Sequence, residues 1–261
     1  MTLWPLLGIA TLLASCGSSP PLAPAASSHR AAWTYAGATG PEHWSDLDPS
    51  FSACSRGSRQ SPIDLPPPPG SSTAPAVASP HWDPVPLSIV NNGHTVQVDD
   101  AAPSSLVLDG VTYSLVQFHF HTPAEHTLEG RAFDAEVHLV HRAANGKLAV
   151  VALFFQRGAE SAALRPLFDA IPMEQGAPIS VPGKTLDLGA LVPRAPRFLS
   201  YDGSLTTPPC TEGVRWLVVL PDPKPLEIAE SDLAKLRAAV HAPNNRPQQP
   251  RNDRAIDLRA P

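Results

Sequence analysis

The chain has 261 residues, a net charge of −5 and no block of basic residues, which argues against a nucleic-acid partner. Hydrophobic residues make up 43% of the chain and charged residues 16%, a balance that excludes an intrinsically disordered protein. The length fits one large domain or two small ones. The 32 prolines, which helix interiors and central strands exclude, indicate many ordered loops between short strands.

The first residues have the pattern of a targeting segment. An apolar run from Leu3 to Leu13 is too short to anchor the chain by spanning a bilayer. Leu13-Ala14-Ser15-Cys16 resembles the bacterial lipobox, in which Cys16 would be lipidated and become the new N-terminus. No Lys or Arg precedes the apolar run. A signal peptide that is cleaved at another position, or a misassigned start codon, is therefore the alternative. We predict an exported, periplasmic protein that is lipid-anchored to a bacterial membrane, with a soluble periplasmic or secreted form as the alternative.

The remaining chain divides by composition. Residues 1–16 form the predicted signal and lipobox segment, and residues 17–32, rich in Ser, Pro and Ala, are predicted to be a flexible tether. Residues 33–261 form one predicted folded domain. A second proline-rich stretch, Pro66–Pro86, is predicted to be a surface loop because strand-like patterns resume after it.

Short alternating and apolar runs predict most of the domain to be strand, separated by turns such as Asp109-Gly110 and Asn145-Gly146. Helical patterns are few, and the more C-terminal of the two predicted helices begins with Ser231 as its predicted N-cap. The expected fold is mostly β (α+β), one domain around a large, mainly antiparallel twisted sheet with short peripheral helices. The predicted strands are Leu87–Asn91, Thr95–Asp99, Leu106–Leu108, Val111–His121, Ala135–Arg142, Leu148–Gln156 and Arg215–Leu220, and the predicted helices are Ser161–Phe168 and Ser231–Val240.

Histidines alternate along one predicted strand, Gln117-Phe118-His119-Phe120-His121. A strand sends residues i and i+2 to the same face, so the glutamine and both histidines would share a face. Glu136 and His138 would share a face of a second strand, and pairing the two strands brings three imidazoles together. Three His ligands with an open fourth position are typical of catalytic zinc, and Gln117 and Glu136 are placed to hold the outer ring nitrogens.

Simpler interpretations exist for each residue taken alone. Two histidines two apart in a strand are a weak signal, since a buried or surface pair is at least as common as a metal site. His126 and His141 are predicted to have hydrogen-bonded structural roles. The metal hypothesis rests on the addition of His138 and its neighbour Glu136.

The chain has three cysteines. If Cys16 carries a lipid, Cys54 and Cys210 are left as a pair, and export permits a disulfide between them. Two unrelated buried thiols are the alternative. Closing a loop of this length would stabilise the fold by roughly 4–5 kcal/mol in the chain-entropy description.

A series of motifs in order along residues 33–261 resembles the α-class carbonic anhydrases, in particular their exported bacterial branch. The motifs are Gly40–Trp44, Arg59–Ile63, Asn91–His94, Gln117–His121, Glu125–Thr127, Glu136–His141, Gly203–Cys210 and Asn245–Pro247. The resemblance implies zinc-dependent, reversible hydration of CO₂ to bicarbonate and a proton. Zinc-bound hydroxide would attack CO₂, and a histidine would carry the released proton to buffer.

The resemblance also implies roles for individual residues. His119 and His121 would bind Zn²⁺ through Nε2 and His138 through Nδ1, with Gln117 and Glu136 supporting them and a carbonyl near Asn245 holding the remaining ligand. Thr206 and Glu125 would orient the hydroxide, and His94 would be the proton shuttle. The wall of the CO₂ pocket would comprise Val140, Val150, Leu205, Thr207, Val214 and Trp216, and the water network Tyr35, Asn92 and Gln97.

The expected partners are CO₂ and bicarbonate, with sulfonamides or anions as inhibitors at the zinc. The membrane would be contacted only through the N-terminal lipid, and a homodimer is left open. Two other functions stay as alternatives: a non-catalytic zinc- or bicarbonate-binding module, and a zinc hydrolase of esters. The second lacks the H-E-x-x-H pattern of metalloproteases.

Overall fold

The computed structural model describes Met1 and residues 31–71, 78–100, 103–193 and 195–260. The predicted lipobox with Cys16, and nearly all of the predicted tether, lie outside the described residues. Internal contacts divide the chain between Arg30 and Ala31, and the unit that begins at Ala31 carries every helix and strand below. In the described part of the chain, no helix has the length and apolar content needed to cross a bilayer.

Most of the regular structure is strand, as predicted. The strands, in chain order, are β1 Asp64–Leu65, β2 Ala78–His81, β3 Val85–Asn91, β4 Val96–Asp99, β5 Ser105–Leu108, β6 Val111–His121, β7 Thr127–Leu128, β8 Ala135–Ala143, β9 Leu148–Arg157, β10 Ile179–Leu186, β11 Phe198–Ser204, β12 Glu212–Val219, β13 Leu226–Ile228 and β14 Asp257–Arg259. The helices are α1 Trp44–Leu47, α2 Ala53–Arg56, α3 Arg165–Phe168 and α4 Glu230–Val240, with 3₁₀ turns at Gly37–Thr39, Pro49–Phe51 and Leu188–Ala190.

Twelve strands form one sheet. Its main path runs β10-β3-β4-β6-β8-β9-β12-β11-β14, with β5 on β6, β2 on β5 and β13 on β9. The pairs in this sheet are antiparallel except that β9 runs parallel to β12 and β13. The prediction of a large, mainly antiparallel sheet is confirmed, and β6, β8 and β9 lie at its centre.

The central sheet has two different faces. Phe118 and Phe120 of β6, with Val137 and Leu139 of β8, pack into the larger apolar core together with residues of α3 and α4. The alternate positions, which hold the histidines, point to the other face, next to a smaller core around Trp216. Strand alternation therefore separates a packing face from a polar face.

The strands predicted from alternation are found close to their expected bounds. β6 has the predicted bounds, and β3, β8 and β9 differ by one or two residues at an end. The patterns missed β10, which is exposed at nearly every position, and β11, which is buried on both faces. Neither strand alternates in polarity, so neither carries the signal that identified the others.

The helices are shorter or capped differently than predicted. α3 begins at Arg165 rather than Ser161. Ser231 is not the N-cap of α4, because the helix begins at Glu230 and Ala229 is the cap residue, with no side-chain bond. Glu230 and Asp232 in the first turn supply the negative charge that favours a helix N-terminus.

The Asp109-Gly110 turn between β5 and β6 is confirmed. Both residues have positive φ, 50° and 76°, as a two-residue hairpin turn requires. Gly146, with φ 82°, closes the turn between β8 and β9. These two turns set the register of β5 with β6 and of β8 with β9.

The Pro66–Pro86 stretch is not only a loop. β2 and the start of β3 lie within it, and Trp82 between them is partly buried against the larger core. The Trp82 indole donates a hydrogen bond to His141 Nε2 at 3.1 Å, while His141 Nδ1 lies 2.9 Å from the carbonyl of Leu139. The prolines limit the lengths of these strands without preventing them.

Burial lowers the pKa of His141 to about 4, against about 6.5 in an unfolded chain. The folded protein therefore favours neutral His141, and this contribution to stability is present above pH 6.5 and lost as the pH falls towards 4. Between pH 7 and pH 5 the wild type should lose about 2 kcal/mol of unfolding free energy relative to His141→Leu. Urea denaturation of both proteins at both pH values measures this difference, and a difference that does not change with pH would contradict it.

Candidate metal centre

Three histidines converge on the polar face of the central sheet. His119 of β6 lies directly opposite His138 of β8 in the strand register, and His121 follows two residues along β6. The ring centroids are 5.1 Å apart for His119 and His121, 5.3 Å for His119 and His138, and 4.6 Å for His121 and His138. Their potential ligand atoms lie within 4.8 Å of one another.

Each of the three rings has one nitrogen held by an acceptor. His119 Nδ1 lies 2.8 Å from Gln117 Oε1, and His138 Nε2 lies 2.9 Å from Glu136 Oε1. His121 Nδ1 lies 2.8 Å from the carbonyl of Asn244, one residue before the position named from the sequence. Since these oxygens accept, each held nitrogen is the donor, and His119 Nε2, His121 Nε2 and His138 Nδ1 remain to coordinate a metal.

The donor set fits a zinc ion. His121 Nε2 is buried and has no hydrogen-bond partner, which is costly for a polar atom unless something else binds it. Burial holds the pKa of His119 well below its ordinary value, and burial likewise lowers the pKa of His121. Neutral imidazoles with one free nitrogen each are the ligands that zinc takes.

Glu136 is the centre of a buried hydrogen-bond network. Its Oε1 accepts from His138 and from His126 Nδ1, the latter at 2.7 Å, and its Oε2 accepts from the backbone N–H groups of Glu125 and His126, both at 2.8 Å. Burial raises the pKa of Glu136, but the electrostatic attraction and hydrogen bonds of the His126 and His138 rings outweigh it and hold that pKa well below the usual range. Glu136 is therefore a carboxylate with four donors.

The network extends beyond His126. Tyr201 OH lies 2.7 Å from His126 Nε2 and 2.9 Å from Ser61 Oγ, and the N–H of Ser204 donates to the same Ser61 oxygen. Because His126 Nδ1 donates to Glu136, its Nε2 accepts from Tyr201. A second group of potential metal ligands lies close together at His126, Glu136 and His138. Their facing atoms are hydrogen-bonded to one another, so they are not free to bind an ion.

Glu125 is completely buried beside the three histidines. Its Oε1 accepts from the backbone N–H of Arg246 at 2.8 Å and lies 3.6 Å from His121 Nδ1. Its Oε2 has no hydrogen-bond partner. The bond expected from the Thr206 hydroxyl is therefore not formed in this structure, although Thr206 is buried in the loop that follows β11.

Five of the six residues predicted to line a CO₂ pocket lie in or against the smaller core. Val150, Val214 and Trp216 are buried there, and Val140 and Leu205 pack against them while partly exposed. The Trp216 ring is 4.8 Å from the His138 ring between centroids. Thr207 is half-buried and its carbonyl accepts from Cys210 N. An apolar surface thus adjoins the histidine cluster.

His94 lies in the turn before β4 and is partly buried. Its ring stacks on Trp33, with the centroids 3.8 Å apart and the planes 8° apart. Burial lowers the pKa of His94. Trp33 had no assigned role in the sequence, and no local pattern connects two residues so far apart along the chain.

The three residues predicted to order water have different surroundings. Asn92 Oδ1 accepts from the backbone N–H groups of His94 and Thr95, so that oxygen already holds the turn. Gln97 lies opposite His119 in the register, and its amide donates to Asp99 at 2.7 Å. Burial, with the charge of Glu125, raises the pKa of Tyr35 well above its ordinary value.

The predicted disulfide is present between Cys54 and Cys210. It joins α2 to the loop that carries Thr206. Beside it, the buried guanidinium of Arg246 donates to the carbonyls of Cys54 and Ser61 and to Gln60 Oε1. The alternative of two unrelated thiols is therefore wrong.

Comparison with known proteins identifies the family. The family model for eukaryotic-type carbonic anhydrases matches residues 39–260. A carbonic anhydrase of Nostoc sp. is 38% identical over 96% of this chain and 94% of its own. The α-carbonic anhydrase of Thermovibrio ammonificans, solved in complex with the inhibitor sulfanilamide, superposes with a TM-score of 0.81 at 39% identity and covers 87% of this chain and 99% of its own.

A dioscorin complexed with ascorbate shares the fold as well, with a TM-score of 0.79, 32% identity and coverage of 87% of this chain and 97% of its own. The fold and its histidine cluster define a β-sheet protein with a potential three-histidine metal centre. The chain belongs to the α-carbonic anhydrase family, the enzymes that interconvert CO₂ and bicarbonate.

The four donors on Glu136 predict a specific effect of Glu136→Gln. An amide presents one oxygen and one NH₂ group, so buried donors would face another donor, and we expect a loss of about 3 kcal/mol in unfolding free energy. Zinc affinity should fall about 10- to 100-fold because His138 loses its acceptor.

Chemical denaturation and competition with a zinc chelator measure the two effects of Glu136→Gln. Glu174→Gln is the control, since Glu174 is exposed. An unchanged zinc dissociation constant in Glu136→Gln would show that the network does not support the metal centre.

Proposed function

We propose that this chain is a zinc-dependent carbonic anhydrase whose metal is held by His119, His121 and His138. The observation that carries the proposal is the pairing of each ring's outer nitrogen with an oxygen, which leaves three inner nitrogens directed at one place. Bound zinc would supply Lewis acidity that makes hydroxide available near neutral pH, a property established for carbonic anhydrases and not inferred from this chain.

Glu125 and Thr206 would orient the reacting hydroxide. The support is the buried Glu125 Oε2, which has no partner and is an acceptor beside His138 Nδ1, 3.9 Å away. A carboxylate oxygen can only accept, so a Thr206 hydroxyl that donates to it must present its own oxygen to the hydroxide proton. A lone pair of the hydroxide then faces the substrate.

The apolar wall would hold CO₂ without binding it tightly. Val140 continues the face of His138 along β8, and Val150, Val214 and Trp216 are buried next to it. CO₂ has no net dipole, so an apolar surface suits it, whereas bicarbonate, being charged, is better solvated by water. This difference favours entry of CO₂ and departure of the product.

His94 would carry the proton from the site to buffer. Its side chain is half-buried in the turn before β4, so part of it is open to solvent. An imidazole exchanges protons near neutrality, and the lowered pKa of His94 favours release of the proton to the medium. Tyr35, Asn92 and Gln97 would order the intervening waters.

Sulfonamides and small anions are proposed to bind at the same metal. The support is the Thermovibrio ammonificans relative, which was solved with sulfanilamide. A non-catalytic binding module is the alternative, and the dioscorin with ascorbate shows that a relative with this fold has been solved with a different kind of ligand. The enzyme is favoured because this chain has every residue expected to bind the metal and orient the hydroxide: His119, His121, His138, Glu125 and Thr206.

Activity and metal content test the proposal together. The purified wild type should contain about one zinc per chain and hydrate CO₂ rapidly in a stopped-flow assay, with inhibition by sulfanilamide. His119→Ala should lose hydration at least about 100-fold, since loss of a ligand's supporting partner alone already costs up to that much. His43→Ala is the control, because His43 is exposed outside the cluster. A folded, zinc-loaded wild type without hydration would favour the binding module.

We also propose that residues 1–16 direct export and that Cys16 is lipidated, with residues 17–32 tethering the catalytic domain of residues 33–261 to a bacterial membrane. The support is the apolar run followed by Leu13-Ala14-Ser15-Cys16 and the disulfide, which an oxidising compartment permits.

In a bacterial host, wild type should fractionate with membranes and Cys16→Ser with the soluble periplasm. Wild type found in the cytoplasm with its first 16 residues intact would refute export.

A further inference from the structure

Two asparagines hold the backbone of the proposed shuttle, His94. Asn92 Oδ1 accepts from the His94 N–H at 2.9 Å. On the other side, Asn244 Nδ2 donates to the His94 carbonyl at 3.0 Å. The first contact is local to the turn, but the second comes from a residue 150 positions away in sequence.

Asn244 also contacts the strand that carries two of the proposed metal ligands. Its Nδ2 donates to the carbonyl of Phe120 at 2.9 Å, and its Oδ1 accepts from Thr122 N at 2.8 Å. Its own carbonyl accepts from His121 Nδ1. Asn244 is completely buried, so all of these contacts are made away from water, where they hold position best.

We propose that the side-chain amide of Asn244 is a positioning device for proton transfer, which holds His94 at a set distance from the ligand strand β6. Asn244 touches none of the reacting atoms, and it acts through His94. The inference rests on the proposed function, because the position of His94 matters only if a proton leaves the site through it.

The alternative for Asn244 is ordinary stabilisation of the fold. The Phe120 carbonyl, however, also accepts from the Thr95 hydroxyl at 2.6 Å, so it stays paired without the amide. Of the two contacts donated by the amide, the one that leaves a carbonyl without this second donor is the contact to His94, while the amide oxygen accepts from Thr122 N. Small errors in the placement of a reacting group have large effects on rate, so this contact should be visible in proton transfer more than in stability.

The stacking of His94 on Trp33 provides a readout that does not depend on activity. With the rings 3.8 Å apart and nearly parallel, the indole should shift the His94 ring protons upfield in an NMR spectrum. If Asn244 holds the His94 backbone, its loss should move these signals towards the values of a free histidine. A purely structural Asn244 would leave the stack unchanged.

The test compares Asn244→Asp with wild type and with His94→Ala. The Asp variant keeps the acceptor for Thr122 N and removes the donor to the His94 and Phe120 carbonyls. We expect kcat for CO₂ hydration in weak buffer to fall about tenfold, kcat/KM to change less than about threefold because the hydration step is untouched, and added imidazole to restore kcat. Zinc per chain should stay near wild type.

Asn91→Asp is the matched control. Asn91 is also buried, accepts from Gly93 N and donates to the carbonyls of Ala239 and Pro172, so the same exchange is made without contact with His94. Asn244→Ser removes the side-chain amide without adding a charge, although it also removes the Oδ1 acceptor of Thr122 N. It replaces Asn244→Asp if the latter does not fold.

The results distinguish failure of the proposed shuttle role of His94 from failure of the proposed positioning role of Asn244. If His94→Ala hydrates CO₂ like wild type in weak buffer, the shuttle itself is wrong and the role of Asn244 falls with it. If His94→Ala is slow but both Asn244 variants behave like Asn91→Asp, only the positioning proposal is overturned. Two further results would overturn the positioning role of Asn244. One is an equal loss of kcat and kcat/KM that imidazole does not restore, and the other is a set of His94 ring signals in the Asn244 variants at the wild-type positions.

Discussion

The register between β6 and β8 is the constraint on which the rest of the site depends. It places His119 directly opposite His138 and His121 opposite Glu136, so that three rings and a carboxylate share one face. A slip of one residue along β6 would turn every side chain of that strand to the opposite face. The histidines would then enter the apolar core, and Phe118 and Phe120 would lie on the polar face. The large apolar core on the phenylalanine side therefore stabilises the register that assembles the polar centre.

Strand alternation explains why much of this could be predicted from the sequence. The bounds of β6 and the three converging histidines follow from a period of two, which is a local signal. The acceptor for His121 could not be predicted from this local signal, because Asn244 is 123 residues away. The stacking of Trp33 on His94 could not be predicted for the same reason. β10 and β11 were missed for another reason. β10 is exposed and β11 is buried at nearly every position, and neither alternates.

The fold by itself does not establish the chemistry. A sheet of this kind is shared by a relative solved with sulfanilamide and another solved with ascorbate, in keeping with the general separation of fold from function. The distinction lies in single atoms, here the His121 nitrogen and the Glu125 oxygen that are buried without protein partners. Such atoms are expensive in a purely structural core. The proposed metal would give the His121 nitrogen a partner, and the proposed Thr206 donor would give the Glu125 oxygen one.

Arg246 shows how distant segments hold this centre together. Its backbone N–H fixes Glu125, while its buried guanidinium binds Gln60, Ser61 and the Cys54 carbonyl. Burial lowers the pKa of Arg246 to about 10, yet at neutral pH the group stays charged, and its hydrogen bonds offset the cost of burying that charge. Because these partners are far apart along the chain, Glu125 is held in place by contacts between distant segments. The centre therefore depends on the tertiary fold as well as on the pairing of β6 with β8.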